Sequence, residues 1–440
     1  MGLRASTLRV ACLAAAFATV ICVASGCATR GLMPAPNLYV MQPAAAFRDV
    51  PESQRRSDVM VPYATDRART VREDGVVWYG HGRSTRLALG ACRVEFGEGL
   101  TWQELVELST TAVRRSRVPL RITEIEEYLS YPETPFAANL MANPEYTREE
   151  YEAEAARARD EIQEAVRTEL ELHGQREVFL YIHGYNNTFD DAVLLTAQLW
   201  HFLGRRGIPV AYTWPAGRGG LVGYTTDSES GDFTVYHLKS FLRDIAAMEV
   251  IDKIHILSHS RGTEVLTAVL RELKIEADAA GVDPKETLKL GQVVMAAPDI
   301  DTQVFGQRFL AEDLPDVADS VTIYLSGRDR ALLLSKWLHS SVTRLGMLPV
   351  NQVSPELGRL LGYFPNLYFI NADVESNFIG HDFFYTNPAV SSDLILLLKE
   401  GRQPGAEHGR PLHHVMSNVW TIHPWYPQWG DYPDAPPAED

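Results

Sequence analysis

Apolar positions along this chain change their spacing near residue 175. From there to about residue 400, short apolar runs alternate with helical stretches. Strand-like runs occupy 177–182, 208–214, 253–258, 290–296, 320–326 and 367–371. Helical stretches lie near 189–204, 232–247, 261–274, 301–311, 330–343 and 388–400. Runs as continuously apolar as Val293-Val-Met-Ala-Ala297 belong to strands covered on both faces, so the pattern predicts an α/β fold with a mostly parallel sheet and helices on either side. Right-handed crossovers then bring the C-terminal ends of the strands to one edge, where sites form. Upstream, residues 148–173 are dense in Glu, Ala and Arg, and Gly174 stops the run, which predicts a long, mostly solvated helix. Residues 61–147 read as irregular, with short apolar patches and frequent prolines. Residues 403–440, rich in Trp, Tyr and Pro, read as a tail packed over the surface.

The first residues carry a different signal. Arg4 and Arg9 precede an apolar run over 10–23, too short for a membrane span of ~20 residues but of signal-peptide length. The run ends in Ala24-Ser25-Gly26-Cys27, which resembles a bacterial lipobox with Ala24 in place of the usual leucine. The resemblance implies cleavage before Cys27 and lipid on its thiol, with an ordinary secretory signal cut nearby or an uncleaved anchor as the competing readings. Ala28 following the cysteine implies the outer membrane, so the expected location is the cell envelope, lipid-anchored and facing the periplasm. The expected organisation is a signal peptide over 1–26, a tether over 27–60, an N-terminal accessory region over 61–174, an α/β domain over 175–402, and the tail.

Composition narrows the partners. The 440 residues hold 57 acidic against 41 basic side chains, a net charge of −16. Nucleic-acid binding needs a clustered basic surface, so none is expected. Processing before Cys27 would remove Arg4 and Arg9, leaving 39 basic residues and a net −18. It would also remove Cys12 and Cys22, leaving Cys92 as a lone free thiol and no intramolecular disulfide. With no H-E-x-x-H, cysteine pair or Walker loop, neither a metal nor a nucleotide cofactor is implied. No feature of the sequence sets the oligomeric state.

Candidate chemistry gathers at the ends of the predicted strands. The strand 253–257 runs into Ser258-His259-Ser260-Arg261-Gly262 and then a helix, the strand–turn–helix context of a nucleophile elbow. Ser258 stands where that motif has its first glycine. Ser260 is the candidate nucleophile; a helix N-cap is the alternative use of a serine there. At the end of the strand 177–182, His183-Gly184-Tyr185-Asn186-Asn187 is a candidate oxyanion loop. Its Tyr185 backbone N–H, with that of Arg261 after the nucleophile, would hold the developing charge. His183 is then structural rather than a base. Asp329, in Ser326-Gly327-Arg328-Asp329 after a strand, is the candidate acid, with Asp299 and Asp301 as rivals after the preceding strand. His381, in Gly380-His381-Asp382 after the last strand, is the candidate base, completing the chain order Ser, acid, His.

Taken together with Trp214-Pro215, Tyr224, Asp227, Ala297-Pro298-Asp299, Ala331-Leu332 and the earlier Ala64-Thr65-Asp66-Arg67, these motifs resemble a family of uncharacterised bacterial α/β-hydrolases in the esterase/lipase superfamily. The resemblance spans roughly 60–400. It implies the α/β-hydrolase fold and Ser260, Asp329 and His381 as a triad, but the family's substrates are mostly unassigned; a small-molecule or lipid ester is the expected substrate, with thioester and amide left open. Arg261 departs from the Met or Leu usual after the serine; its side chain reads as an ion-pair partner before a substrate contact. A non-catalytic envelope interaction protein on the same fold is the competing function.

Overall fold

The computed structural model of the protein describes residues 30–71, 73, 75–173, 175–329, 331–332, 343–348, 355–372 and 380–428. Five expected strands fall where the apolar runs place them: β4 (Glu177–Ile182), β5 (Ile208–Thr213), β6 (Lys253–His259), β7 (Leu290–Ala296) and β8 (Ala318–Leu325). The sixth is β9 (Leu367–Asn371). Their continuous apolarity has a simple cause. In β4, Phe179 and Tyr181 enter one core while Val178, Leu180 and Ile182 enter the other, so alternate residues are buried on opposite faces. Helices α3 (Phe189–Phe202) and α6 (Pro388–Leu398) cover the first face; α4 (Gly220–Ala246) and α5 (Gly262–Ala280) cover the second.

Three strands arise in the region expected to be irregular: β1 (Asp58–Val71), β2 (Val77–Phe96) and β3 (Leu120–Ser130). The segment after α6 adds β10 (His413–Met416) and β11 (Val419–Thr421) instead of only draping the surface. All eleven form one sheet in the order β10-β11-β9-β8-β7-β6-β4-β5-β1-β2-β3. From β11 to β1 the pairings are parallel, while β10 and the β2–β3 pair are antiparallel margins. Residues 61–130 are thus part of the sheet itself, continuous with the hydrolase core. The junction is Tyr63–Thr65 of β1 paired with Ala211–Thr213 of β5.

The expected tether also folds from residue 30 onward. Gly31 bridges Pro119, and Leu32, Met33, Tyr39, Phe47 and Val50 are buried beside α1 (Trp102–Thr110) and α3. The reason is side-chain size: these apolar residues would cost ~1.5–3 kcal/mol each to leave in water. The long helix forms as α2 (Arg148–His173), with Ala158 and Ile162 buried and most of its length polar. The helix expected over 301–311 is broken, with an α-turn at Thr302–Phe305 followed by a π-turn at Gly306–Leu310. Of the helix expected at 330–343, only residues 331–332, which are helical, and 343 are described; the signal peptide and Cys27 lie outside the described residues. Among the described residues no helix is long and apolar enough to cross a membrane, and Cys92 is a buried free thiol.

Candidate active site

The turn after β6 lifts Ser260 into a left-handed conformation, φ 52°, which a side chain adopts only under constraint. Hydrogen bonds supply that constraint. The Ser260 N–H donates to Ala296 O at 2.9 Å. Its carbonyl accepts from Thr263 N (3.1 Å), Thr263 Oγ1 (2.6 Å) and Asp299 N (3.3 Å). The N-cap position of α5 is held by Arg261 without a side-chain cap, so Ser260 does not spend its hydroxyl there. Small residues are required on both sides. A Cβ on Gly262 would lie 2.4 Å from His183 O and 2.8 Å from Ile182 O, and a Cβ on Gly184 would lie 2.8 Å from Ser260 Cβ. The elbow and the loop after β4 therefore touch through backbone.

On the same sheet edge, the loops after β8 and β9 bring together Asp329 and His381. The His381 Nδ1–H donates to Asp329 Oδ2 at 2.6 Å. The other carboxylate oxygen accepts from Ala331 N at 2.9 Å and Leu332 N at 3.0 Å, so Asp329 is held in place on both sides. Because a carboxylate only accepts, Nδ1 carries the proton and Nε2 is left to act as a base. Burial disfavours the imidazolium, but the adjacent Asp329 carboxylate outweighs it and raises the His381 pKa to about 9. The rival Asp299 sits instead with its Oδ1 3.3 Å from Arg344 Nε, and Asp301 caps a short helix through Gln303 N and Val304 N.

His259, which the sequence motif includes without assigning it a role, packs against His381. Its ring centroid is 4.7 Å from that of His381 and 4.8 Å from that of Phe384, and its Nε2–H donates to His381 O at 3.3 Å. Burial, with His381 next to it, holds its pKa well below the usual histidine value, so it stays neutral. Its one sequence signal is a polar ring immediately before the nucleophile on a buried strand.

The loop 183–187 is fastened from below. His183 is fully buried, stacks on Trp214 at 5.1 Å and 7°, and accepts the Trp214 indole N–H at its own carbonyl, 2.7 Å away. These contacts tie the loop to its neighbours through His183. Two buried charges outside the loop hold it. Arg67 of β1 donates to Asn187 O at 2.8 Å and Ala216 O at 2.7 Å. The Asp227 Oδ2 of α4 accepts from Asn186 N at 3.2 Å and Gly217 N at 3.0 Å. Both residues had been singled out as motif matches without a role. The Arg261 side chain lies 3.0 Å from Glu264 Oε2 and bonds Ser228 Oγ, lining a cavity of about 290 Å³ with Asp232, Arg271 and Arg308. It is an ion-pair partner, in keeping with the sequence reading.

Residues 158–398, more than half of the chain, match the family model described as an alpha/beta hydrolase of unknown function (DUF900). No curated protein matches the chain.

Proposed function

The chain belongs to the DUF900 family of alpha/beta hydrolases, and from that premise we propose that it is a serine esterase working through Ser260, His381 and Asp329. The observation that carries this reading is the 2.6 Å bond from His381 Nδ1–H to Asp329 Oδ2, formed on the sheet edge where the strained Ser260 turn emerges. A histidine in that tautomer presents a free Nε2 lone pair, and the carboxylate stabilises the imidazolium that forms when it takes a proton.

The reaction then runs in two halves. His381 Nε2 takes the Ser260 hydroxyl proton as Oγ bonds to the ester carbonyl carbon. The carbonyl oxygen becomes an oxyanion facing the N–H groups of Tyr185 and Arg261. Collapse of the tetrahedral species expels the alcohol, which leaves with the proton from His381. Water, deprotonated by the same nitrogen, attacks the acyl-enzyme and releases the carboxylic acid and free Ser260. The left-handed serine supports this reading too, since strain of ~1–3 kcal/mol persists only where surrounding structure enforces it.

Fluorophosphonate labelling and hydrolysis of short-chain p-nitrophenyl esters test the proposal. Wild type is expected to label once per chain and to turn over; Ser260→Ala is expected to do neither. Hydrolysis undiminished in Ser260→Ala would remove the assignment. Absence of labelling in folded wild type, together with a co-purifying envelope protein, would favour an interaction role.

We further propose that Cys27 carries lipid, on the strength of the Ala24-Ser25-Gly26-Cys27 signal. Three residues separate it from Gly31, where the fold begins, a reach of at most ~14 Å, so the anchor would hold the domain against the bilayer. Intact-mass measurement of the membrane-extracted protein should show a diacylglyceryl adduct that Cys27→Ala lacks.

A further inference from the structure

Arg67 is 1% exposed, yet among the described residues no carboxylate forms an ion pair with it; Asp66 and Asp227 act on it only as nearby charges. Its guanidinium instead spends its five N–H groups on neutral acceptors. Nε donates to Thr213 Oγ1 (3.2 Å), Nη1 to Gly80 O (3.1 Å) and Ala216 O (2.7 Å), and Nη2 to His183 Nε2 (3.2 Å) and Asn187 O (2.8 Å). Burial lowers its pKa to about 10, with Asp66 and Asp227 nearby opposing the shift, so it remains a cation at neutral pH. A buried cation is a costly way to fill space, since an apolar residue of similar volume is often as stabilising. The position calls for a reason beyond packing.

The reason lies in the hydrogen-bond arithmetic of His183. Arg67 can only donate, so His183 Nε2 must accept and carry no proton. His183 is held neutral by burial and by Arg67 itself, which leaves its one ring proton on Nδ1. That Nδ1–H donates to Gly184 O at 2.8 Å. The Gly184 carbonyl and the Tyr185 N–H belong to one planar, trans peptide unit and point in opposite directions. Pulling the carbonyl toward His183 therefore turns the N–H away from it, in a loop whose Gly184 abuts Ser260 Cβ. In the other tautomer, an Nδ1 lone pair would face the carbonyl lone pairs, and the favoured response is a peptide flip that turns the Tyr185 N–H toward His183.

We propose that Arg67 is a positioning residue that fixes the Nδ1–H tautomer of His183 and, through it, aims the Tyr185 N–H at the oxyanion. The inference rests on the serine-esterase reading for what the N–H does, but not for the tautomer itself. It makes β1, which lies outside the matched residues 158–398, a working part of the site.

Two measurements test it. The first is the ¹⁵N shift pattern of the His183 ring, assigned by its loss in His183→Asn. Wild type should show a protonated Nδ1 and a bare Nε2, and Arg67→Met should lose that pattern. The second is the rate of fluorophosphonate labelling with thermal unfolding as the folding control. Folded Arg67→Met and His183→Leu should label about 10²-fold more slowly, the scale of a lost oxyanion donor. His183→Asn, whose Nδ2 can occupy the Nδ1 position, should recover most of the loss. An unchanged tautomer in Arg67→Met, or wild-type labelling by folded His183→Leu, overturns the relay. If Arg67→Met does not fold, the His183 pair decides alone. If wild type does not label at all, the esterase reading fails while the ring shifts still decide the tautomer.

Discussion

Gly262→Ala separates catalysis from stability at the point where the elbow meets the loop after β4. The new Cβ would lie 2.4 Å from His183 O and 2.8 Å from Ile182 O, both backbone atoms that no rotamer change can remove. Relief to an ordinary contact of 3.4 Å requires the start of α5 and the end of β4 to part by about 1 Å. Overpacking of this kind costs ~1–3 kcal/mol. Against it, replacing a glycine in a helix by alanine returns up to ~1 kcal/mol, because Gly262 does not need a positive φ. The net loss of stability is therefore about 0–2 kcal/mol. The kinetic effect is larger, since a 1 Å displacement between a nucleophile and the groups that stabilise its transition state costs ~10²-fold.

The matched control sits at the other end of the same helix. Gly281 adopts φ 69° with nothing within 4 Å of a Cβ, so Gly281→Ala should lose ~1–2 kcal/mol of stability and no activity. Thermal unfolding and p-nitrophenyl ester kinetics on the two variants form the assay. A Gly262→Ala protein with wild-type kcat/KM, or a Gly281→Ala protein that loses rate while folded, refutes the reasoning.

Four further outcomes follow from the same structure. Since His381 must be neutral to act as a base and its pKa is raised toward 9, kcat/KM should climb with pH to a midpoint above the usual histidine value of 6.5; a midpoint below 6.5 in the pH–rate profile contradicts this. Asp329→Asn should move that midpoint downward and lower the rate by up to ~10⁴-fold, because the amide favours the wrong tautomer. His259→Phe should keep the tilted ring contacts but lose the 3.3 Å bond to His381 O, lowering kcat ~5-fold with KM unchanged, a modest effect that steady-state kinetics resolves. Arg410→Met leaves the buried Asp393 without the partner now 2.7 Å away and should cost ~3–5 kcal/mol in denaturant unfolding, because Asp393 also anchors Tyr324 and Tyr426 and would keep its charge buried.

What could be read from the sequence, and what could not, divides along the range of the interactions. The elbow is local: a buried strand, a tight turn and a helix within about twenty residues, with Gly262 demanded by contact across a few ångströms. The parallel strands are nearly as local, because burial on both faces leaves a continuous apolar run. β1 gave no such run. Its Thr65, Asp66 and Arg67 are buried, but apart from Gly80 their side-chain partners are Thr213, His237, His183, Asn187 and Ala216, more than a hundred residues away, so three polar side chains in succession look like loop. β2 and β3 hide for another reason. Register shifts between Leu89 and Gly90 and between Arg93 and Val94 interrupt the period-two alternation, and one side of β3 carries charge into solvent. The residues 30–50 contribute isolated anchors such as Tyr39 and Phe47 rather than a repeating face. Buried polar residues with distant partners have no signature in their own neighbourhood, and such residues hold the loop 183–187 here. A strand that reads as irregular can therefore carry the side chain that sets the geometry of a site built almost wholly from residues far downstream.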